Sequence, residues 1–427
     1  MSSRKLLQQV RILDPNTQIE QVGDILIEDG IIQEISPKVD LSAEDSEGSI
    51  EIIDGTGLVV APALVDIFCS SGTPGYEERE TLESLAAAAR AGGVSRVAIL
   101  PDTNPPVDNP NTVTWLKKQT DSLPLRCYIW GALTDSLGGK NIAQLADLAS
   151  AGVVGFTDNR PHDNLQLVRR LLEYGRMFQL PIALSPTQLH LRGDGVARES
   201  RTSVRLGLTG SPFIAETVAI ASLLEIVSFT GTPIHLMRIS TQKGVELIRR
   251  AKEENLPVTA SVNWHHLLLN IEVVASYDPN LRFEPPLGTE DDRLALIEGV
   301  KSGIIDAIAI DHTPYTIEEK NVGFAAAPPG AIGLELALPL LWQNLVDTGY
   351  LSAIQLWRAL SVNPLRCLNQ KPVKLARGEE AELVIFSPQS RWQVTASSLK
   401  SLSSNTYWLD KEIKGRVIAL LSCSKNP

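Results

Sequence analysis

Between residues 64 and 310 the chain alternates repeatedly between short β-rich runs and longer stretches with helical spacing. That alternation narrows the fold more than any other feature. Leu82, Leu85, Ala86 and Ala89 fall at i, i+3, i+4 and i+7, one face of a helix over 81–90, with Gly92-Gly93 as its stop and a strand over 94–100 behind it. Leu165, Val168 and Leu172 mark a helix before a strand over 181–184. Ser211-Pro212 reads as the N-cap and first turn of a long apolar helix that ends near Phe229. Strands over 234–239, 258–262 and 305–310 then interleave with helices over 244–254 and 291–301. Strands alternating with helices predict a parallel sheet, and closure into a (β/α)8 barrel suits this length; an open doubly wound sheet is the alternative. No string matches GxGxxG or a P-loop, so a nucleotide site gains no support.

The two ends have a different texture. Runs over 10–13, 25–28 and 31–35 are rich in Ile, Leu and Val, and Asp29-Gly30 between the last two is a hairpin signal. Residues 381–386 repeat that texture near the other end, so the ends are expected to pair into one small β module. A hydrophobic content of 43% over 427 residues supplies a core without help from disulfides or metals. Cys69, Cys127, Cys367 and Cys423 lie far apart with no CxxC pair, which points to free thiols in a reducing cytosol. The net charge of −11 argues against nucleic acid as a partner. No apolar run approaches the ~20 residues of a membrane span, and the N-terminal segment lacks the apolar centre of a signal peptide, so a cytoplasmic protein is expected.

In a parallel barrel the chemistry sits at the C-terminal ends of the strands. The first such end is Leu64-Val65-Asp66-Ile67-Phe68-Cys69-Ser70-Ser71-Gly72, within a run over 59–105 (VVAPALVDIFCSSGTPGYEERETLESLAAAARAGGVSRVAILPDTNP) that resembles the opening of dihydroorotases, in the cyclic amidohydrolase branch. Residues 245–269 (VELIRRAKEENLPVTASVNWHHLLL), 285–320 (PPLGTEDDRLALIEGVKSGIIDAIAIDHTPYTIEEK) and 328–341 (PPGAIGLELALPLL) extend the resemblance, in order, over nearly the whole chain. It implies a metal-dependent barrel, residues 59–370, with a β-sandwich made from residues 1–58 and 371–427. Two metals, typically zinc, activate water against a ring amide in these enzymes.

The same resemblance implies that the chemistry has been dismantled here. The positions of the HxH pair are Phe68 and Ser70; phenylalanine cannot ligate, and a hydroxyl is a feeble zinc ligand beside imidazole. The two later histidines correspond to Ser185 and Arg238, and a permanent cation repels a divalent metal. The bridging Lys or Asp falls at Asp158 or Asn159, with the register open. Asp311 matches the catalytic aspartate: either a surviving general base or an inherited carboxylate that caps a turn. On the substrate side an arginine position is Gly72, an asparagine position Asp102, a second asparagine position Glu284 and a second arginine position Gly288. A lost guanidinium and an added carboxylate both disfavour an anionic substrate. Arg238 paired with Asp311 or Asp158 would fill the metal site.

The histidines offer no replacement centre. His235 lies on a predicted core strand and reads as a satisfied core group. His265 and His266 are adjacent, so on a strand they face opposite ways. His162 and His190 fall in predicted loops and are expected to be solvated. No metal ligand and no cofactor is therefore expected. By the resemblance, the chain is a non-catalytic dihydroorotase homologue that serves as a structural or regulatory subunit in pyrimidine biosynthesis, associating with aspartate carbamoyltransferase and with a second copy of itself. Two other readings stay open: an active cyclic amidohydrolase with a rebuilt metal site, and a sensor whose vacated pocket is lined by Phe68, Asp102, Arg238 and Tyr315.

Overall fold

The computed structural model describes residues 4–40 and 50–422; Cys423 lies outside them. Eight short parallel strands run through the centre: Leu64–Cys69, Val94–Ile99, Arg126–Gly131, Gly155–Phe156, Ala183–Leu184, Ile234–Leu236, Val258–Asn263 and Ala307–Ala309. The first four form one ladder and the last four another. A parallel bridge between Phe156 and Ile182 joins the fourth strand to the fifth. The Ser70 N–H donates to the His312 carbonyl at 2.9 Å, which ties the first strand to the eighth. The sheet therefore closes on itself as a barrel, and the open-sheet alternative falls.

The helices between the strands follow the sequence periodicity. Leu82–Ala91 starts at a Thr81 capping box, buries Leu82, Leu85, Ala86 and Ala89, and ends at Gly92. Thr241 caps Gln242–Glu253, and Thr289 caps Glu290–Ser302. The long apolar helix begins at Ile214 rather than at Ser211. Ser211 is instead committed to a two-residue parallel pair with Arg198, and its carbonyl accepts from Glu199 N–H at 3.0 Å. His265 and His266 also depart from expectation. They sit on the short helix Trp264–Leu268, nucleated by the Asn263 side chain accepting from His265 N–H at 2.9 Å.

Both ends of the described chain do meet. Glu412–Leu421, Leu383–Gln393, Val59–Pro62, Arg4–Asp14, Ile19–Glu28 and Ile31–Ser36 lie side by side in one sheet, and Ile50–Asp54 pairs in parallel with the first half of Arg4–Asp14. Asp29 and Gly30 both have positive φ (50° and 77°), the geometry of the tight hairpin that the sequence signalled. A buried fork-to-fork ion pair fastens this sheet to the barrel: Arg96 on the second strand donates to both carboxylate oxygens of Glu382, at 2.7 and 2.5 Å.

Candidate functional site

Three non-glycine residues just past the strands adopt left-handed backbone: Asn159 (φ 54°), Arg238 (φ 53°) and Asp311 (φ 53°). Each stops its ladder early, so the sixth strand ends at Leu236 and the eighth at Ala309 rather than at 239 and 310. Such backbone is uncommon for side-chain-bearing residues, and it clusters here at the barrel mouth.

Their side chains converge. Arg238 grips Asp311 with two parallel bonds, Nε to Oδ2 at 2.8 Å and Nη2 to Oδ1 at 2.5 Å, and both groups are nearly enclosed. Asn263, which closes the seventh strand, donates Nδ2 to Asp311 Oδ2 at 2.8 Å. Burial opposes charge on the guanidinium, but Asp311, with Asp102 and Asp66 behind it, outweighs burial and holds its pKa above the ordinary value. Asp311 thus spends its carboxylate on an ion pair; it does not cap a turn. Beneath it, Asp66 accepts from the backbone N–H groups of Asp311, His312 and Phe68, which fixes the floor of the mouth. Burial, reinforced by the Asp311 charge, raises Asp66 to about 7.

Asp158 and Asn159 point different ways. Asp158 turns away to accept from Leu133 N–H (2.7 Å), Thr134 N–H (3.0 Å) and the Thr134 hydroxyl. It pairs with His162 rather than with Arg238, Nε2 to Oδ2 at 3.4 Å. His162 is therefore enclosed instead of solvated, and burial lowers its pKa. His190 is exposed as expected. Asn159 faces the mouth and donates to Asp102 Oδ2 at 3.1 Å. Burial raises Asp102, although Asn159 and Arg238 both counter it.

Phe68 is fully buried and packs against Trp130 and His235, each with ring centroids 5.6 Å away, so it fills the barrel interior and does not line a pocket. His235 is held by the hydroxyls of Thr259 and Ser261 at 2.9 Å each, and burial depresses its pKa to about 3. It is a satisfied core group. His265 lies against Trp264 and Phe283, with Nδ1 2.8 Å from Asn263 Oδ1, and His266 Nε2 sits 3.0 Å from the Pro285 carbonyl. Ser185 borders a small crevice shared with His162 and Val218.

Gly72 and Gly288 are both closely surrounded, Gly72 by backbone and Gly288 mainly by the Asp292 side chain. A Cβ added at Gly72 would lie 2.1 Å from the Glu80 carbonyl oxygen and 2.3 Å from that of Tyr76. At Gly288 it would lie 2.7 Å from Asp292 Cβ. Neither position can carry an arginine without local rearrangement. Glu284 pairs with Arg192 at 3.1 Å and faces Arg282 at 3.7 Å.

A strap from the C-terminal region crosses the mouth. Glu80 is fully buried and accepts from the Ser401 and Ser84 hydroxyls and Leu402 N–H, with His312 Nε2 at 3.2 Å. Asn405 donates to Thr313 O and accepts from Tyr315 N–H. Arg79 forks onto Glu319. Sequence reasoning missed the strap, which joins residues some 320 positions apart in the chain. Asn263 and Asp66 were legible in principle, since each stands on a predicted strand or directly at its end.

The amidohydrolase family model matches residues 58–415. The chain belongs to the amidohydrolase family. A "probable dihydroorotase-like protein" of Synechocystis sp. is 44% identical over 96% of this chain and 98% of its own length. A dihydroorotase of Pelobacter propionicus is 36% identical over 97% of each. Among solved structures, the L-hydantoinase of Arthrobacter aurescens superposes over 100% of this chain and 98% of its own with a TM-score of 0.85 at 22% identity, which establishes the barrel fold. Amidohydrolases of this kind are generally metal-dependent. The donor set here does not suit a divalent cation: Arg238 projects a permanent charge onto Asp311, and among the described residues no three His, Cys, Asp or Glu side chains come together as a metal cage. No helix of the described residues is long and apolar enough to cross a membrane.

Proposed function

We propose that this dihydroorotase-like amidohydrolase binds no catalytic metal, hydrolyses no cyclic amide, and serves as a structural or regulatory subunit in pyrimidine biosynthesis by associating with aspartate carbamoyltransferase. The observation that carries the loss of catalysis is the Arg238–Asp311 pair. The one carboxylate matching the family's catalytic aspartate is neutralised by a guanidinium at a position where the family places a metal ligand. Phe68, Ser70 and Ser185 at the other ligand positions, and the enclosed Gly72 and Gly288, support the same reading from the metal and substrate sides. The partner rests on the resemblance to non-catalytic dihydroorotase-like chains, together with 44% identity to a relative named "dihydroorotase-like".

The test has two arms. The purified chain, incubated with zinc and desalted, is assayed for bound metal and for dihydroorotate turnover; neither is expected. The chain is then mixed with aspartate carbamoyltransferase from its own source and resolved by size, where a joint peak is expected. Turnover that vanishes in Asp311→Ala would overturn the loss of catalysis, and two separate peaks would overturn the partner.

A further inference from the structure

Three successive barrel strands, the fifth to the seventh, are each entered through a proline and a β-branched residue: Pro181-Ile182, Pro233-Ile234 and Pro257-Val258. All six residues line one cleft of about 640 Å³ at the end of the barrel where the strands begin, opposite the mouth. That size suits a small molecule. Proline has no backbone N–H and holds its φ near −65°, so this wall offers no donor at those points and is set before any ligand arrives. The floor spends its own polarity, since Thr259 Oγ1 lies 2.9 Å from His235 Nδ1. On the rim, Asn369 Nδ2 donates to the Gln179 carbonyl at 3.3 Å. What the cleft leaves unanswered is charge. Arg96, Lys252 and Arg293 elsewhere on the barrel each meet a carboxylate, from Glu382, Asp306 and Glu290. Arg176 and Arg366, both exposed at the edge of the cleft, do not: the Arg176 guanidinium donates to the Thr230 carbonyl at 3.0 Å, and Arg366 reaches Asn363 Oδ1 at 3.5 Å. Among the described residues no Asp or Glu lines this cleft, in a chain with 50 acids against 39 bases.

We propose that this cleft is a binding site for a small organic carboxylate with an apolar body. The body lies along the proline wall against Ile182, Ile234 and Val258, and the carboxylate lies between the guanidinium groups of Arg176 and Arg366. Guanidinium suits this role because its planar fork matches a carboxylate and its charge is permanent. The head group is singly charged for a reason that the fold supplies. The helix Ile214–Thr230 ends here at Gly231, and its last carbonyls carry partial negative charge, one of them already held by Arg176. A phosphate dianion would meet that charge as well as the arginines; a carboxylate meets less of it. Because the cleft and the mouth lie at opposite ends of the barrel, a ligand here does not compete with the Arg238–Asp311 pair for space.

The probe is 2-naphthoate, titrated into the full-length chain by isothermal calorimetry. One saturable site per chain is expected, with a Kd below about 1 mM. The neutral isostere 2-naphthamide should bind at least ~10-fold more weakly, because the arginines then meet no charge. Arg176→Gln combined with Arg366→Gln should cost naphthoate at least ~10-fold and leave the amide unaffected. Pro257→Asp keeps both arginines and sets a carboxylate on the exposed rim, and it should weaken naphthoate by a similar factor. That variant and the amide decide the matter even if the double variant fails to fold. Lys301→Gln, an exposed cation elsewhere, should change nothing. Inorganic phosphate in tenfold excess should not displace the probe. The absence of saturable binding, equal affinity for acid and amide, or binding indifferent to Pro257→Asp would each overturn the site, and displacement by phosphate would overturn the carboxylate as its head group.

Discussion

Replacing Arg238 with methionine isolates the contact on which the functional reading depends. Methionine keeps most of the side-chain length and, like arginine, must accept the left-handed backbone at φ 53°, so that strain cancels between the two proteins. What is lost is the pair of bonds at 2.8 and 2.5 Å to Asp311. Asp311 keeps the Asn263 donor at 2.8 Å, and among the described residues no other cation is bonded to its side chain. Stranding an enclosed carboxylate in this way costs about 3–5 kcal/mol. Removing both charges, as Arg238→Met with Asp311→Asn, leaves no uncompensated ion and should cost no more than about 1–2 kcal/mol, since a buried ion pair is often worth little over neutral groups of the same shape. The double variant is therefore expected to be more stable than Arg238→Met alone by roughly 2–3 kcal/mol. Urea unfolding at neutral pH reads the difference as a shift in midpoint at constant slope. If Arg238→Met costs under ~1 kcal/mol, or if the double variant costs the sum of the two single variants, the pair is not the coupled, desolvated unit described here.

Two further outcomes follow from the site. Gly72→Ala should destabilise the chain by about 2–4 kcal/mol, because the new Cβ meets carbonyl oxygens of the Tyr76–Glu80 loop that cannot simply rotate aside; thermal unfolding within ~1 °C of the parent would contradict this. His235 is neutral and buried with a pKa near 3, against about 6.5 in an unfolded chain, so the unfolded state binds its proton first as pH falls. Stability on its account is complete above about pH 6.5 and declines towards pH 3, by up to roughly 4 kcal/mol. His235→Asn should flatten that part of the stability–pH curve, and an unchanged slope would show that the ring is not held neutral.

Much of this was written in the local sequence. The helix over Leu82–Ala91 has its apolar spacing, its Thr81 cap and its glycine stop within a dozen residues, so short-range chemistry was enough to read it. The pairing of Arg238 with Asp311 was one of two options open from charge alone; the Leu133–Thr134 backbone, which claims Asp158, made the choice, and a backbone N–H has no signature in a residue list. His162 was misjudged for the same reason, because the carboxylate that shelters it is itself positioned by that loop. Ser211 looked like a helix cap, yet the strand pair with Arg198 claimed its backbone first. Gly72 and Gly288 read from sequence as absent arginines, and only the packing reveals that carbonyls of the Tyr76–Glu80 loop crowd the one and the Asp292 side chain the other.

The sheet that joins the two ends also sets a timetable for synthesis. Val59–Pro62 finds its neighbour Leu383–Phe386 only after some 320 further residues have been made. At ~5–20 residues per second a ribosome needs roughly 15–60 s to supply them. Throughout that interval the nascent chain carries an unpaired apolar edge, Val59 and Val60 among its residues, open to the wrong strand from a neighbouring polysome product. The strap over the mouth arrives later still, since Ser401 and Asn405 follow that strand. Completion of this sheet thus comes late in synthesis, and a truncation before residue 383 removes the strand that covers the Val59–Pro62 edge.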